Sequence, residues 1–361
     1  MALRPQTRSS ACVSRTRGAS TALAVAAAIV ACAAAAPVRS QSSDTIGFPP
    51  PLERHLNASV RLTAAERRAL LSGTSVSKLL EADAGKEVAV FGAVWIDAPM
   101  GAYVDLVEDI ESFERGGGFH VTKRISNPPR LADFDRLTLS DEDVADLRTC
   151  RVGDCEFKLS EDALDRMRRT IDWSKPTAKR DVEVLARQIA LDYVTGYLEG
   201  GNDRLAVYRD AARPTFVAEE FRSMVDRMPA LFGFLPELRA YLLGFPTFEL
   251  PNARSFLYWQ EAQFGLKPTV RINHLVVEER PDGIAVANKQ LYASHYFWTA
   301  LELRVLVPDP RRGRGFWFVN INRSRSDGLS GFVGRMIRGR VQSEAMKGLG
   351  SILEATKATL E

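Results

Sequence analysis

The chain has 361 residues, 48 Lys and Arg against 45 Asp and Glu, and a formal net charge of +3. Five arginines (Arg4, Arg8, Arg15, Arg17 and Arg39) fall in the first 40 residues, which hold no acid, so the rest carries 43 bases against 45 acids, a net charge of −2. A near-neutral body excludes broad electrostatic capture of nucleic acid, and no nucleic-acid partner is expected.

Residues 1–40 read as a signal peptide. A basic leader precedes Thr21–Ala36, an almost wholly apolar run too short to span a bilayer, and Ala36-Pro37-Val38-Arg39-Ser40 offers a small-residue exit. A second reading is lipidation at Cys32, because Ile29-Val30-Ala31-Cys32 has the pattern of a bacterial lipobox. The expected location is therefore periplasmic or secreted, free or anchored through Cys32.

Residues 41–60, with Ser42-Ser43-Asp44 and Pro49-Pro50-Pro51, read as a linker, and 61–159 as the first part of the folded domain. Thr63 and Glu66 have capping-box spacing and predict a helix over Thr63–Ser72. Glu87–Asp97 is a strong strand, broken by Ala98-Pro99. Helical spacing of Tyr103, Leu106, Val107 and Ile110 then predicts a helix over Met100–Phe113. A glycine turn leads to a short strand over Phe119–Ile125, and Ser140 is placed to cap a helical turn rich in acids. Cys150 and Cys155, the only cysteines beyond residue 40, flank Arg-Val-Gly-Asp; in an exported chain this spacing predicts a disulfide-closed turn, with Glu156–Leu159 pairing back across it.

From 160 to 264 the period is helical throughout. Val182, Leu185, Ile189 and Tyr193 form one stripe, and further helices are expected over Val217–Met228 and Pro236–Leu243. Residues 265–361 then change character: four strands near Thr269–Arg280, Gly283–Tyr292, Phe297–Val307 and Gly315–Arg325 precede one helix over Leu329–Ala358. Its stripe of Leu329, Phe332, Val333, Met336, Ile337, Val341, Ala345, Leu349, Ile352 and Leu353 predicts one face buried against the sheet.

The strand, Asp97-Ala98-Pro99 break and helix, with the long helix starting at Leu329 at the far end, resemble the START-like helix-grip superfamily that includes the Bet v 1 and polyketide-cyclase-like proteins. The resemblance covers roughly 87–159 and 265–361, with residues 160–264 as a helical insertion, and rests on element order. It implies an α+β fold, an antiparallel helix-grip sheet packed by a long C-terminal helix. It also implies a space between them that holds a lipid, sterol, polyketide or other apolar ligand. The superfamily brings no catalytic motif and no cofactor.

No Gly-x-Ser-x-Gly, His-Glu-x-x-His, Walker A loop or dinucleotide fingerprint occurs. Ser75-Val76-Ser77-Lys78 matches Ser-x-x-Lys but lacks the companion motifs. A pocket lining is expected from Tyr292, His295, Glu302, Arg304, Asn320 and Asn322, because period-2 geometry puts Asn320 and Asn322 on the Phe316/Phe318 face. The same residues read equally as the solvated face of a one-sided sheet. His274 and His295 alone do not make a metal site. Nine arginines and two acids between Arg304 and Arg340 give a basic edge suited to a membrane surface. The expected partner is an apolar or amphipathic small molecule. The alternatives are an enzyme using His295, Tyr296 and Glu302 for acid–base chemistry, and a cell-envelope protein-interaction module.

Overall fold

The computed structural model describes residues 47–116, 118–263, 267–329 and 331–361, and for Phe332 and Val333 the backbone only. The signal segment and Cys32 lie outside the described residues.

The capping box at Thr63 forms as the spacing requires: Glu66 N–H donates to Thr63 Oγ1 and Thr63 N–H to Glu66 Oε2, opening α2 (Ala64–Leu71). Before it, α1 (Pro50–His55) and the π-turn Leu56–Val60 place Phe48, Leu52, Leu56 and Val60 in the core. The stretch expected as a linker is thus folded from Pro50 onward; a Pro at the first helical positions starts a helix as readily as it fills a linker. Then come β1 (Val76–Leu79), β2 (Glu87–Ile96), α3 (Met100–Glu108), α4 (Ile110–Phe113) and β3 (Phe119–Arg124). Ser140 caps α5 (Asp141–Thr149) through Asp143 N–H. Glu156–Leu159, expected to pair back across the cysteine turn, is not a strand; the turn closes instead on an isolated bridge between Arg151 and Asp154.

The chain continues through α6 (Glu161–Thr170), α7 (Ala178–Gly200), the small pair β4 (Val207–Tyr208) and β5 (Thr215–Phe216), α8 (Val217–Asp226), α9 (Pro229–Phe232) and α10 (Pro236–Gly244). Helical period up to 264 was the expectation; Ala253–Gln263 is instead a sheet strand, β6. Its run Phe256-Leu257-Tyr258-Trp259 is as apolar as a helix stripe but belongs to a strand buried on both faces. Last come β7 (Pro268–Arg280), β8 (Gly283–Ala293), β9 (Phe297–Pro308), β10 (Phe316–Ser326) and α11 (Gly331–Leu360).

Eight strands make one antiparallel sheet in the order β1-β2-β10-β9-β8-β7-β6-β3. On one face, Tyr103, Val104 and Val107 of α3, Ile110 of α4, and Leu349 and Leu353 of α11 cover an apolar patch that includes Val90, Val94, Leu275, Val286, Leu306, Phe316 and Phe318. On the other face α1, α2 and α8–α10 cover one part of the sheet, and α5–α7 cover the part around Leu257, Trp259, Ile272 and Leu291. All ten residues of β2 are buried because helices lie over both its sides.

Helix α11 packs on β1 and β2. The close approach is possible because residue 92 is glycine: a Cβ there would stand 2.8 Å from Leu353 Cδ1 and 2.9 Å from Leu349 Cδ2. Lys357 Nζ donates to Trp95 O (3.0 Å), and Asp97 N–H to Glu361 Oε1 (2.9 Å). The predicted stripe is therefore only partly buried. Leu349 and Leu353 face Gly92, whereas Met336, Ile337, Val341 and Ile352 are exposed, because a helix set along the edge strand β1 and its neighbour β2 meets the sheet on a narrow line.

Neighbouring residues of that helix should consequently behave very differently. Leu353→Ala should lower the unfolding free energy in urea by about 2–5 kcal/mol, whereas Ile352→Ala should change it by no more than about 0.5 kcal/mol.

Candidate functional site: an apolar cleft and a buried polar row

The sequence-derived site residues divide between the two faces of the sheet. Tyr292 and His295 fall on the α7 side. Glu302, Arg304, Asn320 and Asn322 fall on the α3 side, with Asn322 opposite Glu302 and Asn320 opposite Arg304 across the β9–β10 ladder.

On the α7 side a cleft with a cavity of about 80 Å³ opens between the sheet and α5–α7. Val270, Ile272 and Tyr292 form its floor, and Leu147, Phe157, Leu159 and Met167 stand around it. Four alanines (Ala163, Ala186, Ala190 and Ala206) face it from α6, α7 and the segment before β4. The room exists because these positions carry a methyl where larger residues would close the gap. The tyrosine hydroxyls are tied to backbone: Tyr193 donates to Leu291 O (2.7 Å) and Tyr292 to Lys158 O (2.9 Å). Their ring edges are left as apolar wall.

Behind the wall formed by Phe157 and Tyr292, polar side chains that do not themselves line the cleft are fixed by one another. Lys158 Nζ reaches Asp210 and Asp327, each at 2.6 Å. His295 has Nε2 3.0 Å from Asp143 Oδ1 and Nδ1 3.1 Å from Glu156 O, with its ring edge-on to Phe157. Burial works to raise Asp143, but its hydrogen bond with His295, the charge there, and Ser140 and Lys267 outweigh it, so the carboxyl sits below its ordinary range. Both imidazole nitrogens are engaged, and Tyr296 Oη accepts from Lys267 N–H. His295 and Tyr296 are thus held by local partners, while Glu302 lies across the sheet; the three do not converge.

The cysteines do what their spacing predicts. Cys150 and Cys155 form a disulfide, and the turn is stitched to a neighbouring segment by Gly153 N–H to Arg209 O (2.7 Å) and Cys155 N–H to Asp210 O (2.9 Å). A disulfide is consistent with an oxidising compartment. No helix among the described residues is long and apolar enough to cross a membrane.

On the α3 side the central strands carry a row of polar side chains under the α3–α4 cover. Arg304 grips Glu302 with two hydrogen bonds (3.0 and 2.6 Å), and Asn320 Nδ2 adds a third (2.8 Å). Asn288 donates to Tyr258 Oη (2.7 Å), which donates to Glu114 Oε1 (3.3 Å). Asn273 donates to Gln260 (3.0 Å), and Arg271 to Gln290 (2.8 Å). Among the described residues, eight buried polar atoms here lack a hydrogen-bond partner: Tyr103 Oη, Glu114 Oε2, Gln260 Nε2, Asn273 Oδ1, Asn288 Oδ1, Gln290 Nε2, Arg304 Nη1 and Asn320 Oδ1. Each such group costs on the order of 1–3 kcal/mol.

The two carboxyls are driven apart. Burial raises Glu114 to about 7; nearby Glu302 adds to the rise, while Arg304, Arg271 and Tyr258 oppose it. Burial would raise Glu302 too, but the charge and hydrogen bonds of Arg304, with Asn320, keep it below its ordinary value.

Glu114, Tyr258, Gln260, Asn273, Asn288 and Gln290 were not singled out from sequence, although a signal was present. Tyr258/Gln260, Asn288/Gln290, Glu302/Arg304 and Asn320/Asn322 are each spaced by two on four strands, which puts each pair on one face. The cleft had no such signal, because its alanines are scattered over separate elements. No protein-family profile matches this chain, and no curated protein matches it either.

Two variants test the polar row. Glu114 in the fold holds its proton to about pH 7 against 4.5 for the free side chain, so between those values the folded state binds more protons than the unfolded one, and stability falls as pH rises. The full swing is about 3 kcal/mol, and Glu114→Gln should flatten it in urea melts at pH 4.5 and 7.5. Arg304→Met strands the Glu302 carboxylate and should cost about 3–5 kcal/mol; the double variant Glu302→Leu/Arg304→Met should be milder, and equal losses would mean the pair is not coupled.

Proposed function

We propose that the chain is an exported binding protein that takes a small apolar molecule, or the apolar end of an amphipathic one, into the cleft between the sheet and α5–α7. One observation carries this reading: a cavity lined almost wholly by apolar side chains, four of them alanines, with paired polar groups buried behind its wall at Lys158, Asp143 and His295. Such a cavity with a few placed polar groups is the usual form of a small-molecule site. The disulfide beside it and the arginine-led apolar leader support export.

The volume narrows the ligand. An engineered cavity of about 150 Å³ takes one benzene, and this one is about 80 Å³. A linear alkyl end suits it, and a fused-ring sterol does not. The element order of strand, paired helices, strand, a later five-strand run and closing helix supports a helix-grip ancestry, although the run has one strand more than the resemblance implies. The cleft lies on the α7 face of the sheet, not in the space between the sheet and the long C-terminal helix that the resemblance implies, so the site proposed here is on the face opposite α11.

The test is 1-octanol in thermal melts. Wild-type protein should rise in Tm with octanol concentration as a site that binds only the native state requires. Ala190→Leu, which fills the cavity, should fold normally and show no rise. Equal responses from the two proteins would sink the reading.

A further inference from the structure

Both ring nitrogens of His55, on α1, are buried without a hydrogen-bond partner, and the residue is 5% exposed. Burial lowers its pKa to about 4, so at neutral pH the imidazole carries one N–H donor and one bare acceptor. Leaving both unanswered costs stability, and a phenylalanine ring would fill nearly the same space without that cost. A polar ring at this position therefore calls for a partner.

His55 lines a second cavity, of about 50 Å³, on the face of the sheet that α1 and α8–α10 cover. Leu52 of α1, Leu231 of α9, Ile284 of β8, Val305 of β9 and Val319 of β10 supply apolar wall. Of the lining side chains, only His55, Arg280 and Asp282 are polar. Arg280 Nε donates to Asp282 (3.1 Å), and its guanidinium lies 3.6 Å from Glu278 and 3.8 Å from Glu237. The one cation in the lining is thus met by three carboxylates, which disfavours an anionic ligand. The imidazole is the polar group left to be answered.

A hydroxyl answers an imidazole in either tautomer, because it can donate to the bare nitrogen or accept from the N–H. The volume sets the size: this cavity is about a third of the roughly 150 Å³ that takes a benzene, so the enclosed ligand is short. We propose that the cavity is a binding site for a small aliphatic alcohol, with its hydroxyl hydrogen-bonded to His55 and its alkyl chain among Leu52, Ile284, Val305 and Val319. The ligand also ties α1 to the strands, since the two supply opposite walls. This site is separate from the α5–α7 cleft and does not rest on that reading.

The test titrates the full-length protein, labelled in its histidine ring nitrogens, with 1-propanol at pH 7 and reads the nitrogen signals by NMR. His55→Phe identifies the His55 signals by their loss. The expected result is a saturable shift at His55 with a Kd in the millimolar range, since four heavy atoms cap the affinity at roughly tens of micromolar. Exposed His120 should drift only linearly. Val305→Ile takes one methyl's room from the cavity and should weaken binding by about tenfold or more. Ala190→Leu, which fills the other cleft, should leave the His55 response unchanged. His55→Phe should melt at or above the wild-type temperature, and a lower value would mean that the fold itself satisfies the ring nitrogens, which overturns the proposal. A His55 shift that stays linear and no larger than that of His120, as a cavity holding only water would give, also overturns it. So does equal affinity in wild type and Val305→Ile.

Discussion

The ladder between β2 and β10 is the constraint on which the rest of this molecule depends. Ten consecutive residues from Glu87 to Ile96 pair with Phe316–Arg325, joining a strand near the start of the folded chain to the last strand of the sheet. That ladder fixes which side chains face α3 and which face the opposite helices. A slip of one residue would exchange Phe316 and Phe318 with Trp317 and Val319, putting every core residue of β10 on the wrong face. It also brings Glu87 to Arg323 and Arg325, where Arg323 Nη1 donates to the Glu87 carboxylate and Arg325 reaches Glu220 of α8 at 2.8 Å. The register is thus secured by apolar packing along the strands and by buried ion pairs at one end, where a shifted partner would leave a charge unpaired.

The two faces use that sheet in opposite ways. On the α3 face the polar row replaces apolar packing at the centre and leaves several groups unsatisfied, a local loss of stability set against the apolar patch beside it. On the α7 face the helices approach through alanine and leave a gap. Alanine and half-satisfied amides are both departures from the densest core, and they fall on different layers of one sheet. The first departure leaves a cavity; the second makes stability depend on pH through Glu114.

Much of the fold was legible in the sequence because its signals are local. The Thr63–Glu66 box, the Ser140 cap, the Ala98-Pro99 break and the four strands β7–β10 depend on neighbours within a few residues, and all appear where expected. What failed depends on distant partners. Ala253–Gln263 reads as helix or strand from its apolar content, and only its place between β3 and β7 decides for a strand. The stripe of α11 overstates burial because periodicity reports which residues could face a partner, not how wide the partner is. The expected pocket mixed two faces for a similar reason: Leu291 bulges out of register against β7, so Tyr292 and Gln290 do not keep the parity that counting by two assigns. Glu302, Arg304, Asn320 and Asn322 kept theirs because β9 and β10 pair without interruption through that stretch.

The disulfide has a reach beyond the four residues it encloses. Leu147 and Phe157, two of the residues that bound the cleft, lie just outside Cys150 and Cys155 on either side, and the turn's own amides are fastened to Arg209 and Asp210. Thiol oxidation therefore sets the spacing between a helix end and the strand-linking segment that together frame the opening. Reduction would remove this covalent tie between the end of α5 and the Phe157 segment, two parts of the cleft wall.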